Sequence, residues 1–489
     1  MERKITIDPI TRLEGHGKIV VVLDDKGDCL RAYLQVPELR GFEKFLEGRV
    51  AEDAPIITSR ICGVCPTAHH MASTKALDDL FHIDPPIAAK KIRELAYNIF
   101  MLEDHALHFY VLGGPDLIVG PTAPKEERNI LGVVKRLGDV AIKVLAFRRQ
   151  LRKINEMIMG RTIHPVFGRP GGISKPLDPA VIKELRGIVD EGIEFAVQTE
   201  KLFRKILSSE QEIYKLMMSE DFKVETYYMG LVDDKNRLNF YDGKLRVIDP
   251  KGREATKFDV HDYLNYIAEH VEPWTYIKFP YFKPVGWKGF VDKIDSGVLC
   301  VAPLARLNVS DSMPTPRAQE AFEEMIEFFG GKPVHYTLAT HWARVIEMIY
   351  AAERIKELAE DPDIESTEVL NIPTKTPGPI GIGVVEAPRG VLIHHYESDE
   401  KGILTKVNLL VATQFNSARI NISVDRAARA FIKGGKVTEG LLNLVEIAFR
   451  AYDPCHACGT HALPGELKLI IDFYDENGRH LGREVIRGS

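Results

Sequence analysis

Two Cys-x-x-C pairs at opposite ends of the chain constrain this sequence more than any other feature. Arg60 opens RICGVCPTAHH, with Cys62 and Cys65 around a Gly-Val pair. Asp453 opens DPCHACGTH, with Cys455, Cys458 and His461. The only other cysteines among the 489 residues, Cys29 and Cys300, are isolated and read as ordinary thiols. The amino terminus, MERKITIDPITRLEGH, has no apolar leader. In so large a chain without an export signal, paired Cys-x-x-C spacing reads as metal or redox chemistry before it reads as a disulfide framework.

Four thiolates together select zinc, an iron–sulfur cluster or another metal that tolerates soft ligands. Structural zinc sites join their halves within about 15–20 residues, whereas about 390 positions separate these pairs. Loop-closure entropy grows slowly with length, so such a separation is allowed; the fold, not the metal, must then bring the ends together. Neither motif opens a helix in a short βαβ unit, which disfavours a thioredoxin-like site. On spacing alone a shared metal site, a redox pair and unrelated cysteines remain alternatives. If the site is shared, the chain is one interlocked unit.

Hydrophobic periodicity divides the chain. KITID, GKIVVVLDD and CLRAYLQV alternate as strands, with a turn at Asp24–Gly27, so a small β-sheet is expected over about 1–37. Helical periodicity follows from Leu39. Residues 86–111 carry Leu95, Ile99, Leu102, Ala106 and Phe109 on one stripe, with Asp104 and His108 on another face. One or two long helices are expected over 179–219, another at 340–361 with a Trp342, Val345, Ile346, Ile349, Ala352 stripe, and two more near 418–432 and 438–451. A β-rich insert spans about 224–258, with a hairpin turn expected at Asp242-Gly243, and a second β segment covers 380–413. Pro-rich loops near 363–380 read as possible linkers. The expected fold class is α+β, predominantly helical: a central bundle of long helices with a small N-terminal sheet and further β segments.

Several functions are disfavoured. A net charge of −6 and a pI near 6.3 argue against a nucleic-acid binder that relies on a basic face. No apolar run approaches the roughly 18 residues of a membrane span, so the expected compartment is the cytoplasm. GPIGIG is not a dinucleotide fingerprint and there is no Walker A loop. Taken singly, Glu43 reads as a solvated helix acid, Arg389 as a surface ion-pair residue and His108 as a satisfied helix histidine.

Together with RLEGHG, RGFE and EAPRG in that order, the cysteine motifs carry a resemblance. The chain resembles the large, catalytic subunit of nickel–iron hydrogenases from Ile7 to its carboxyl terminus. It is most similar to the soluble cytoplasmic group that includes NAD-reducing (bidirectional) and F420-nonreducing enzymes. The related quinone-site subunit of respiratory complex I lacks these cysteines. The resemblance implies the hydrogenase large-subunit fold over 1–461 and reversible heterolytic cleavage of hydrogen at a thiolate-bridged Ni–Fe centre whose iron also holds carbon monoxide and cyanide. Cys62 and Cys455 are implied as terminal nickel ligands, and Cys65 and Cys458 as bridges. His69 is implied near Cys65, Glu43 and His461 around Mg2+, and Glu14 as the first proton relay. Arg389, Pro388, Asp104 and Asp453 are implied as a polar canopy.

With four of six cysteines committed, no conventional iron–sulfur cluster fits in this chain. A small subunit carrying clusters is therefore an expected partner, meeting a broad apolar interface, together with further electron-transfer subunits that carry flavin, NAD or another acceptor module. The resemblance also implies nickel-insertion proteins and a protease that removes residues 462–489 behind His461. Within that extension, LKLIIDFYDENGRHLGREVI reads as a hairpin turning at Asn477-Gly478. A hydrogen sensor of the same family and a structural zinc protein are the alternatives; sensors lack such a tail.

Overall fold

The computed structural model describes residues 3–462, 468–475 and 478–487. Strands Arg3–Ile7, Lys18–Leu23 and Cys29–Gln35 form an antiparallel meander in chain order, with the second strand in the middle. One face of this sheet is buried against helix Ala412–Phe431: Leu34 donates its backbone N–H to Asn421 Oδ1 at 2.9 Å, and Ala32 to Asp425 Oδ1 at 2.7 Å. The amino-terminal sheet thereby rests on the helix that leads to the second cysteine motif.

Helices Ile87–Leu107, Val189–Ser209 and Ala339–Glu360 make the central bundle. The expected stripe of Ile87–Leu107 is buried throughout, and the helix runs on into a π-helical turn, His108–Leu112. Such turns re-aim side chains and recur at functional sites. Helix Ala339–Glu360 departs from the one-stripe expectation and is enclosed on nearly all sides. Its polar face, His341, Arg344 and Glu347, is as buried as Val345 and Ile346. A helix that is buried all round belongs to the centre of the core.

Sequence and structure differ at three further places. Residues 179–219 form three helices, Pro179–Arg186, Val189–Ser209 and Gln211–Met217. The expected hairpin at Asp242-Gly243 is instead the end of a connection over 233–243: strand Tyr227–Val232 pairs with Lys244–Ile248 from Val232 opposite Lys244. The tight turn of this sheet is at Asp249–Arg253, where the Asp249 carboxylate accepts from Lys251 and Arg253 backbone N–H at 2.8 and 3.0 Å. The insert also does not close at Phe258, because Leu299–Cys300 joins the same four-stranded sheet parallel to Tyr227–Val232.

Strands Ile380–Ala387, Gly390–Ser398 and Leu404–Leu410 form an antiparallel sheet lying across helix Pro66–Leu80. Gly381 and Gly383 make that approach possible: a Cβ would lie 2.3 Å from Ala76 O and 2.2 Å from Ala72 O, respectively. The glycines of GPIGIG thus serve helix–sheet packing. The Pro-rich loop before the sheet is no linker between bodies: Gly172 bridges to Leu370, and Gly378 donates to Leu80 O at 2.6 Å. In the tail, Lys468–Tyr474 pairs with His480–Arg487 as a hairpin; Asn477, half of the expected turn, lies outside the described residues. Among the described residues no helix is long and apolar enough to cross a membrane.

Candidate metal centre

Cys62 leaves the short turn Ser59–Ile61 in extended conformation, and Cys65 caps helix Pro66–Leu80, whose first residue is a proline. Cys455 caps the short helix His456–Gly459, its backbone N–H held by Thr413 Oγ1 at 3.0 Å. The N-terminal loop meets this motif directly: Glu14 bridges in parallel to Cys455, and His456 N donates to Glu14 O at 3.0 Å. The two ends of the chain are folded against each other.

All four Sγ atoms lie within 4.8 Å of one another and are buried in the main core. Two contacts have hydrogen-bond geometry: Cys62 to Cys455 at 3.3 Å and Cys65 to Cys458 at 3.1 Å, first cysteine with first and second with second. None forms a disulfide. Burial pushes the Cys455 and Cys458 thiols well above their ordinary value. Cys62 is also desolvated, yet lies well below it, because hydrogen bonds from the other three cysteines and from Cys65 N–H stabilise its thiolate. A soft, anionic, water-excluded donor set of this kind fits transition metals.

The other expected residues gather around this quartet. Glu14 Oε2 accepts from Cys455 Sγ at 2.9 Å and Ala457 N at 3.0 Å; desolvation and the Cys62 charge raise its pKa. Arg389 is pinned by Asp104 Oδ2 at 3.0 Å, Asp453 Oδ2 at 2.6 Å and Asp453 O at 2.8 Å. Burial moves Asp104 up to about 7. Asp453 is equally desolvated, but the Arg389 guanidinium and His108 hold its carboxyl well below the usual range. Asp453 adopts φ +56°, in the left-handed region that Asp tolerates better than most residues. Pro388 is buried beside Arg389.

His69 lies near Cys65 through the other cysteine of that pair: its Nε2 is 3.3 Å from Cys458 Sγ, which is 3.1 Å from Cys65 Sγ, and its Nδ1 is 3.2 Å from His394 Nε2. Glu43 and His461 do meet, with Oε1 3.4 Å from Nε2. Glu43 Oε1 also accepts from Leu409 N at 2.8 Å, and Lys278 Nζ is 4.0 Å from its other oxygen.

Sequence reading missed several participants. His108 is no idle helix histidine: its Nδ1 lies 3.0 Å from Asp453 Oδ1 and its ring stacks on His341. Arg306, Glu347, Glu386 and Asn416 form a fully buried polar layer behind Arg389. Glu386 stands in EAPRG, but nothing in the local sequence marks Arg306, Glu347 or Asn416, because their partners come from other segments.

Comparison with known proteins agrees with this geometry. The family model described as nickel-dependent hydrogenase matches residues 40–129 and 293–461, and one described as HoxL-like matches residues 4–39. An iron-sulfur subunit of the F420-non-reducing hydrogenase of Archaeoglobus profundus is 47% identical over 97% of this chain and 98% of its own length. The beta subunit of the NAD-reducing hydrogenase HoxS of Cupriavidus necator is 39% identical over 98% and 99%. A crystal structure of an NAD+-reducing [NiFe]-hydrogenase in the H2-reduced state superposes with a TM-score of 0.89 at 37% identity, covering 94% of this chain and 99% of that one. This chain belongs to the nickel-dependent hydrogenase family and is the catalytic large subunit of a [NiFe] hydrogenase.

Proposed function

We propose that Cys62 and Cys455 hold nickel as terminal ligands, that Cys65 and Cys458 bridge it to iron, and that the iron's remaining ligands are carbon monoxide and cyanide. The single observation that supports a shared centre is the convergence of the four buried sulfurs, all within 4.8 Å of one another; the division into terminal and bridging cysteines follows the resemblance. When bound, the Ni–Fe centre supplies the redox chemistry that splits hydrogen heterolytically.

This chain's own residues do the rest. Glu14, touching Cys455, takes the proton: its carboxyl is raised by burial toward the range where it can both accept and release one. Arg389 presents a fixed cation over the sulfurs, held by Asp104 and Asp453, so its donors need no reorganisation during the reaction. His69 supports Cys458, while Glu14 contacts Cys455. The buried surroundings exclude bulk water.

A magnesium ion is assigned to Glu43, Leu409 O and His461. The His461 ring lies among three oxygens, with Nδ1 against Cys458 O, and Nε2 2.7 Å from Leu409 O and 3.4 Å from Glu43 Oε1. A carboxylate and a backbone carbonyl side by side are the oxygen ligands a hard cation takes.

Electrons leave to a partner that bears iron–sulfur clusters, since the two remaining cysteines, Cys29 and Cys300, are too few to hold one here. A groove of about 690 Å³ lined by Glu14, Glu38, Arg40, Arg60, Gly63 and His164 lies beside the cysteines and supports docking of that partner on this side. Exposed Leu39, and Ile163 next to His164, flank it. The names of the relatives point to a further module that reduces NAD or a non-F420 acceptor, and the chain works in the cytoplasm. Nickel-insertion proteins load the site, and a protease then cuts behind His461, releasing the tail.

Purifying the complex from its host and measuring metals, infrared bands and the carboxyl-terminal residue tests this reading. The expected result is about one nickel and one iron per chain, bands of iron-bound carbon monoxide and cyanide, and a chain ending at His461. Zinc alone, or a full-length active chain, would overturn the corresponding assignment.

A further inference from the structure

Arg389 lies in the tight turn between strands Ile380–Ala387 and Gly390–Ser398, where Ala387 pairs with Gly390. A turn at a sheet end is the mobile part of a hairpin, yet three consecutive carbonyls of this one are each gripped by a buried side chain. Arg306 donates through one terminal nitrogen to Ala387 O at 2.7 Å and through the other to Pro388 O at 3.1 Å. Asn416 Nδ2 donates to Arg389 O at 2.9 Å. The next residue, Gly390, has φ +129°, and a Cβ there would lie 2.2 Å from Val301 O.

Both clamps are themselves saturated. Arg306 also donates through Nε and a terminal nitrogen to the two Glu347 oxygens, each at 2.6 Å, and to Glu386 Oε2 at 3.0 Å. Its fork is therefore fully used and its position fixed from three directions. Glu347 accepts in addition from His105 at 2.8 Å, and Glu386 from Leu231 N at 2.7 Å. Asn416 Oδ1 accepts from Val301 N at 2.8 Å and Ala302 N at 3.2 Å, which settles its amide orientation. These hydrogen bonds leave both side chains engaged with the turn and its supports rather than with the cysteines.

We propose that Arg306 and Asn416 are positioning residues for the reaction: by holding the carbonyls of residues 387–389 they aim the Arg389 guanidinium over the sulfur quartet. The proposal rests on the reading of Arg389 given above. It explains why a fully buried arginine with two glutamates sits behind the site. Such a cluster is a poor way to gain stability, but it is a rigid way to hold peptide groups.

A double-mutant cycle in the metal-loaded complex tests it. Asn416→Asp keeps an acceptor for Val301 and Ala302 and sets a carboxylate oxygen, in place of the amide donor, against Arg389 O. Its turnover per nickel is expected to fall on the order of tenfold to a hundredfold, with KM for hydrogen and nickel content unchanged. A crystal structure of the variant should show the Arg389–Asp453 contact displaced. In an Arg389→Lys background the same change should cost nothing further, because it acts only through Arg389. Arg306→Lys should behave likewise, with partial activity.

Equal losses in both backgrounds, or an undisplaced Arg389, would overturn the proposal. Full activity of Arg389→Lys alone would instead overturn the reading of Arg389. Should Arg306→Lys fail to accumulate as folded protein, Asn416→Asp still decides.

Discussion

The Glu14 carboxylate accepts the Cys455 thiol at 2.9 Å and the Ala457 backbone N–H at 3.0 Å through the same oxygen, Oε2. One end of the chain thus touches the sulfur of the other. Replacing Glu14 by Gln keeps an oxygen that can accept from Ala457 but removes the group that carries a proton. We expect hydrogen-driven dye reduction to fall on the order of a hundredfold or more, with nickel content unchanged. A Gln variant that turned over normally would remove Glu14 from the proton path.

Because the ligands come from both ends, bound metal should tie the whole fold together. A ligand that binds only the native state raises stability by mass action, and here it also closes the longest loop in the chain. The loaded protein is expected to melt at a clearly higher temperature than the metal-free chain. Cys455→Ser should abolish that difference while leaving the metal-free melt nearly unchanged. Calorimetry on the two forms measures it.

The elements legible in the sequence were those with local signals: the N-terminal meander, the helix stripe from Leu95 to Ala106, and the strands of the 380–410 sheet. The hairpin at Asp242-Gly243 was misread because a strong turn dipeptide there closes a longer connection, and Gly243 is used for its φ of +146° against Val232. The four cysteines were legible because their spacing is itself chemistry. Arg306, Asn416 and His108 were not, because what makes each important is a partner far away in sequence: Asn416 is 27 positions from Arg389, and Arg306 is 82 from Pro388. His69 shows the limit from the other side: its residue type was informative, but which sulfur it faces depends on how the helix is set.

Buried neutral histidines should make the chain acid-labile above the range of ordinary carboxylates. His70 is fully buried, with Nδ1 at 3.0 Å from Pro55 O and Nε2 accepting from Gly168 N at 2.9 Å, so a second proton would break the latter bond. Desolvation lowers its pKa to about 4. A histidine whose folded pKa is depressed leaves the unfolded chain holding more protons below about pH 6.5. Stability therefore falls as pH drops from about 6.5 to about 4, by up to about 3 kcal/mol from this ring alone. His70→Gln, which can still donate and accept, should flatten that limb in urea-melt midpoints. An unchanged slope would show that other groups set it.

Helix Pro66–Leu80 carries Cys65 at its start and His69 one turn later, and its distance from the sheet is set by glycine. At Gly383 a Cβ would lie 2.2 Å from Ala72 O and 2.4 Å from Ala76 N, both backbone atoms that cannot swing aside. Gly383→Ala is therefore expected to push helix and sheet apart, costing on the order of 1–3 kcal/mol or more and moving Cys65 and His69 relative to Cys458. Nickel retention after gel filtration should fall with the melting temperature. Gly63, within the cysteine motif itself, has nothing within 4 Å of a built Cβ, so Gly63→Ala should leave the melt of the isolated chain unchanged. If Gly383→Ala were as silent as Gly63→Ala, close helix–sheet packing would not be what sets the cysteine geometry.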